Sequence, residues 1–180
     1  AKAATDLDRI FALLRDHTQV DFTHYKPNTV IRRIERRMTV NQTEDLRAYV
    51  RLLSEEPREL TLLYRELLIG VTSFFRDPEA FDLLRTKVLP SLFEDTSDRS
   101  SLRLWVAGCS TGEEAYSLAI LCKETMKRLG RERSVKIFAT DIDQEAILTA
   151  GAGLYPTSLV ADLPKELLDR YFVVHGAEYQ

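Results

Sequence analysis

A chain of 180 residues is long enough for one ordinary domain or two small ones. Its 44% hydrophobic and 29% charged content is that of a globular protein and excludes a disordered one. A formal charge of −3 excludes a nucleic-acid-binding polycation, although Lys26, Arg32, Arg33, Arg36 and Arg37 gather basic charge between residues 20 and 40.

In chain order, the first 70 residues predict four short helices joined by brief turns, a small bundle. In "TDLDRIFALLRDHT" (5–18), Ile10, Phe11, Leu13 and Leu14 make a helical stripe, with Thr5 or Asp6 as the cap. "KPNTVIRRIERRMTV" (26–40) places Pro27 in a first turn, where a missing N–H costs little. Val30, Ile31, Ile34 and Met38 share one face of that helix; Arg32, Arg33 and Arg36 share the opposite face, with Arg37 at its flank. "TEDLRAYVRLLSEE" (43–56), with Thr43 as cap, and "PRELTLLYRELLIG" (57–70), opened by Pro57, continue the pattern until Gly70 breaks it. Asp77-Pro78 starts another helix, with Phe81, Leu84 and Val88 as its stripe, and 94–101 is a polar loop.

The pattern then changes. "LRLWVAG" (102–108) reads as a buried strand and "GEEAYSLAILCKETMKRLG" (112–130) as a helix ended by Gly130. "SVKIFATDID" (134–143) is a second strand, acidic at its carboxyl end, and "DQEAILTAGAG" (143–153) a short helix. Strand, helix and strand of these lengths predict a right-handed parallel βαβ unit. The fold class is therefore α/β, with residues 1–70 as a helical N-terminal domain and 71–180 as a second domain.

Ligands of open α/β sheets bind beyond the carboxyl ends of the strands, here Ala107-Gly108 and Thr140-Asp141. Gly108 and Gly112 allow a ligand close to the backbone. No Lys follows, as a phosphate loop would require. Glu113, Glu114 and Asp141 would repel a polyanion and suit a ligand with a positive centre and ribose hydroxyls. Two readings of the glutamates stand side by side. Ser110 with Glu113, and Thr111 with Glu114, also match capping boxes. Spacing alone does not choose between S-adenosylmethionine and NAD.

Cys109 and Cys122 make no disulfide framework, which suits a reducing cytoplasm, and no run approaches the ~18–20 apolar residues of a membrane span. "AKAATDLDRI" lacks the apolar core of a signal peptide. Cys109 reads as packing, since no base is apparent near it.

"VTSFFRDPEAF", "LRLWVAGCSTGEEAYSLAI" and "IFATDIDQEAILTAGAGLYP", in this order after a helical domain, closely resemble the CheR-type chemotaxis receptor methyltransferases, from about residue 7 to 173. "YKPNTVIRRIERRM" resembles the variant found in larger fused chemotaxis proteins. The resemblance implies a helical receptor-recognition domain followed by the first part of a Rossmann-like methyltransferase domain. It implies S-adenosylmethionine as cofactor, with S-adenosylhomocysteine as product, and glutamates on the cytoplasmic helices of methyl-accepting receptors as substrate. Thr72 and Arg76 would line the cofactor site, with Arg76 at the reacting centre, either orienting the incoming carboxylate or ion-paired to Asp77 or Glu79. Glu113 would meet the methionine end and Asp141 the ribose, with Gly108 giving close access. Gly70 stands where the family often has Asn. Arg32, Arg33, Arg36 and Arg37 would dock acidic receptor helices; the stripe is short and lacks the aromatic interleaving of a nucleic-acid face. The family's later strands, its Asn-rich cofactor-contacting stretch and its active-site Tyr are absent. The expectation is thus a chain whose sheet is completed by the rest of a longer protein or by swapping. The alternative is a binding module for receptor or cofactor without turnover.

Overall fold

A computed structural model of the chain describes residues 5–68, 70–94, 101–161 and 163–180. It divides into two compact units between residues 69 and 70.

The first unit is helical: α1 (Asp6–Thr18), α2 (Pro27–Val40), α3 (Leu46–Glu55) and α4 (Pro57–Leu67), with a 3-10 turn at Phe22–His24. Thr5 caps α1 through a reciprocal capping box with Asp8. The cap of α3 is Asp45 rather than Thr43; the Asp45 carboxylate accepts from Ala48 N at 2.7 Å, while the Thr43 hydroxyl donates back to the Met38 carbonyl. The apolar faces meet in one core of Ile10, Leu14, Phe22, Val30, Ile34, Tyr49, Leu53, Leu63 and Leu67, each at most 2% exposed. Burying a side chain of this size stabilises by about 1.5–3 kcal/mol.

Arg37 corrects the expected basic stripe. It follows Ile34 by three residues and Val30 by seven, so it points inward. Its Nε donates to Glu59 Oε1 at 2.8 Å and its Nη1 to Glu66 Oε1 at 3.4 Å, leaving its side chain 11% exposed. Tyr49 adds a 2.9 Å hydrogen bond from its hydroxyl to Glu59. An arginine committed to two internal carboxylates is not a docking residue. Arg32 and Arg36 are exposed and Arg33 half-buried, so three of the four remain on the surface.

In the second unit, α5 (Pro78–Leu83) and α6 (Leu89–Glu94) are joined by a π-helical turn over Leu84–Val88. Pro90 supplies no N–H and its ring crowds the carbonyl four residues back, so the helix widens just before it. The extra residue shifts the stripe: Val88 is left 38% exposed, and Leu89 and Phe93 are buried in its place.

Strands β1 (Leu102–Ala107) and β2 (Val135–Thr140) are parallel, with Leu102 opposite Val135 and Ala107 opposite Thr140. They are connected by α7 (Glu113–Leu129), which ends at a left-handed Gly130. Leu121, Cys122 and Met126 of α7 and Leu89 and Phe93 of α6 pack with Leu102, Leu104 and Val135 on one sheet face. On the other face Trp105 lies opposite Phe138, 73% and 54% exposed.

After α8 (Gln144–Ala152) the chain forms a small antiparallel sheet that the sequence did not predict. Its strands are β3 (Tyr155–Pro156), β4 (Val174–His175) and β5 (Glu178–Tyr179), in the order β3-β5-β4. The helices α9 (Thr157–Val160) and α10 (Lys165–Tyr171) lie between β3 and β4. Its core of Tyr155, Val160 and Leu163 includes Phe74 from the turn before α5.

Candidate functional site

Three segments of the second unit converge at the carboxyl ends of β1 and β2. The first is the loop 108–112. Gly108 N and Cys109 N both donate to the Thr140 carbonyl, at 2.8 and 3.0 Å, so the loop is anchored to the end of the neighbouring strand. Gly108 has φ +73, and a Cβ built there would meet nothing within 4 Å, which leaves open space above the backbone. Gly112 has φ +98; a Cβ there would meet Ala150 Cβ at 2.9 Å and the Tyr155 hydroxyl at 3.0 Å. Both the backbone conformation and the space admit only glycine.

Asp141, just past β2, braces this loop. Its Oδ2 accepts from Ser110 N at 2.7 Å and its Oδ1 from Asp143 N at 2.9 Å. Ser110 sits at φ +48, a conformation that non-glycine residues rarely adopt, and the carboxylate holds it there.

Neither capping box forms at α7. Its N-cap is Gly112, with no side-chain cap. Glu114 is exposed, while Glu113 is only 1% exposed. The Thr111 hydroxyl lies 2.8 and 2.7 Å from the two Glu113 oxygens. Among the described residues no Lys, Arg or His forms an ion pair with Glu113 or Asp141. A buried carboxylate met only by a neutral hydroxyl carries a desolvation cost that a cation would offset.

The third segment is the turn 70–76. Gly70 runs close to the loop: a Cβ there would lie 3.2 Å from Ser110 Oγ. Phe75 adopts φ +50 and its N–H donates to Ser117 Oγ at 3.0 Å. The exposed Arg76 guanidinium folds back onto the Val71 carbonyl. Among the described residues Arg76 pairs with neither Asp77 nor Glu79; Asp77 instead caps α5. Thr72 is half-buried in the same turn.

Cys109 and Cys122 are both unbridged and buried. Burial, followed by the Asp141 carboxylate, pushes the Cys109 thiol above its ordinary value, and burial lifts Cys122 to about 11. Neither is poised as a nucleophile.

Residues 70–180 match the family model of the CheR methyltransferase SAM binding domain, and residues 5–68 that of the CheR methyltransferase all-alpha domain. The chain belongs to the CheR methyltransferase family. It is 48% identical over 176 residues to an uncharacterized 104.1 kDa protein of Rhodobacter capsulatus, covering 98% of this chain and 18% of that one. It is 31% identical over 170 residues to the chemotaxis protein methyltransferase of Borreliella burgdorferi, covering 92% of this chain and 60% of the relative. The Escherichia coli chemotaxis protein methyltransferase is also 31% identical over 170 residues, with 92% of this chain and 55% of the relative covered. The chain therefore spans little more than half the length of the two methyltransferases it matches. The cofactor of the matching CheR domain is S-adenosylmethionine. The residues present fit it: an open glycine backbone at Gly108, a buried carboxylate without a cation, and a second carboxylate at the end of β2. No helix among the described residues is long and apolar enough to cross a membrane.

The sequence took Thr111 only as a cap for Glu114 and did not point to Ser117 or Tyr155. Ser117 is fully buried one helical turn along from Glu113, and its hydroxyl donates to the Glu113 carbonyl at 2.7 Å. Tyr155 is buried and donates from its hydroxyl to the Thr111 carbonyl at 2.7 Å. The spacing of Ser117 from Glu113 was available in the sequence; the partners of both residues, more than forty positions away, were not.

Proposed function

We propose that this chain carries the cofactor-binding half of an S-adenosylmethionine-dependent methyltransferase acting on glutamate side chains of methyl-accepting chemotaxis receptors. The observation that carries the reading is Glu113, a buried carboxylate beside an open glycine loop with no cation of its own. When bound, the cofactor supplies a methyl group activated on a sulfonium. Glu113 balances the positive charge at the methionine end. Asp141 uses one lone pair of Oδ2 on the loop and one of Oδ1 on Asp143 N, and keeps the others for ribose hydroxyls. Gly108 leaves the backbone accessible, and Thr72 lines the same pocket from the turn.

A receptor glutamate is ionised near neutral pH, its ordinary pKa lying well below 7, so no general base is required. The protein's work is alignment and exclusion of water. Arg76 sits in a turn bonded to α7 and, among the described residues, is not held by a carboxylate. It orients the incoming carboxylate by charge-assisted hydrogen bonds. Arg32, Arg33 and Arg36 dock the acidic receptor helices, in an encounter that weakens with salt. Arg37 takes no part.

Titration calorimetry with S-adenosylhomocysteine tests the reading. The wild-type chain binds, and Glu113→Gln weakens binding about 30-fold or more, since a buried charge partner is worth roughly 2–5 kcal/mol. Equal affinity in the two proteins would remove Glu113 from the site. Binding by this chain with turnover only in a longer one would mark it as a cofactor-binding module.

A further inference from the structure

The turn that carries Arg76 holds a bulky residue in a conformation it does not favour. Phe75 stands at φ +50, a left-handed conformation that costs an L residue roughly 1–2 kcal/mol. Such conformations persist only where the surroundings over-determine them. Here the surroundings are specific. The Phe75 ring meets Phe81 edge-on at 5.1 Å, and the neighbouring Phe74 ring meets Tyr155 at 5.0 Å and Phe172 at 5.4 Å. Among the described residues, the side chain of α7 that anchors the turn is Ser117, whose Oγ accepts from Phe75 N at 3.0 Å. The same hydroxyl donates to the carbonyl of Glu113 at 2.7 Å. Its proton is thereby committed, and its lone pair points at the turn. Ser117 is 0% exposed, so water cannot substitute for either bond.

We infer that Ser117 is a positioning residue for the methyl transfer. A single buried hydroxyl ties the Arg76 turn to the helical turn that carries Glu113, and so fixes the group that orients the substrate against the group that holds the cofactor. The inference rests on the function proposed above. It assigns no contact between Ser117 and either ligand. Its removal leaves Gly108, Glu113 and Asp141 in place but leaves the Phe75 N–H without a partner and lets the strained turn relax. Near-attack alignment is sensitive to displacements of about 1 Å, which can cost 100-fold in rate.

The test compares Ser117→Ala with the wild type in a chain long enough to turn over, by three readouts. S-adenosylhomocysteine affinity, measured by calorimetry, is expected to change less than 3-fold. Turnover on receptor glutamates is expected to fall about 30- to 100-fold with the cofactor KM unchanged. Exchange protection of the Phe75 amide, followed by NMR, is expected to be lost. Ser117→Thr, which keeps a hydroxyl, restores both protection and turnover in part. If Ser117→Ala fails to fold, Ser117→Cys, nearly isosteric and a poor acceptor, carries the same three measurements. Parallel loss of cofactor affinity and turnover would make Ser117 a structural residue and overturn the inference, as would full turnover with an unprotected Phe75 amide. These outcomes are separate from failure of the proposed function, which is read from Glu113→Gln binding alone.

Discussion

Each unit buries a glutamate, and the two are treated differently. In the helical unit Glu59, 6% exposed, receives the Arg37 guanidinium and the Tyr49 hydroxyl. Burial alone would lift its carboxyl; the hydrogen bonds from Arg37 and Tyr49 outweigh burial and hold it below its ordinary value of 4.5. In the second unit the Glu113 carboxylate, 1% exposed, receives among the described residues only a hydroxyl from the residue two before it. The first charge is satisfied within its unit; the second meets no cation among the described residues. Burial of a charge is thus uninformative until its partners are counted, and the count separates a structural ion pair from a candidate site.

The sharpest way to break the comparison is to remove the cation from the first pair. Arg37→Ala leaves Glu59 buried and uncompensated, and the helical unit is expected to lose about 3–5 kcal/mol in chemical denaturation. A loss below 1 kcal/mol would mean that Glu59 is not held by Arg37. Next in size is Gly112→Ala. It forces a side chain into a left-handed conformation against Ala150, at an expected cost of about 2–4 kcal/mol to the second unit together with loss of cofactor binding. Unchanged thermal unfolding would contradict the close approach seen at that position.

Acid sharpens the same contrast. Because the folded-state pKa of Glu59 is depressed, its contribution to stability is fully present above the ordinary value of 4.5 and is lost as pH falls through the lower folded value. Urea unfolding of the helical unit is expected to weaken on acidification below about pH 4.5, and Glu59→Gln to flatten that dependence. The smallest effect is expected from Glu113→Gln without ligand. Removing a charge that has no cation leaves stability unchanged within about 1 kcal/mol or raises it slightly. A loss comparable to that of Arg37→Ala would make Glu113 structural and erase the distinction.

What was legible in the sequence follows from the range of each interaction. The parallel strand pair, the helix between them and its end at Gly130 are set by local periodicity and a C-terminal glycine, and all stand in the structure. The spacing of Arg37 from Val30 and Ile34 already placed it on the apolar face. Its charge drew it into the stripe because its partner Glu59, 22 positions away, was not visible. The π-helical turn before Pro90 shifted a stripe that regular periodicity assigned to Val88. The antiparallel sheet has strands of two residues, too short for an alternating pattern to register. At the site, residue types and the glycine loop could be read. The two capping boxes were locally reasonable but lost to a left-handed Gly112, against which Ala150 and Tyr155 from later in the chain pack closely.

Trp105 is the sole tryptophan of the chain. It stands 73% exposed on the uncovered sheet face, and its indole N–H donates to Thr140 Oγ1 at 3.0 Å. The backbone carbonyl of that same threonine anchors Gly108 and Cys109. The molecule therefore carries one indole fluorophore beside its seven tyrosines, wired to the loop and facing solvent. Its emission colour reports whether anything lies over the sheet, and its intensity reports movement of the loop, without a label being added.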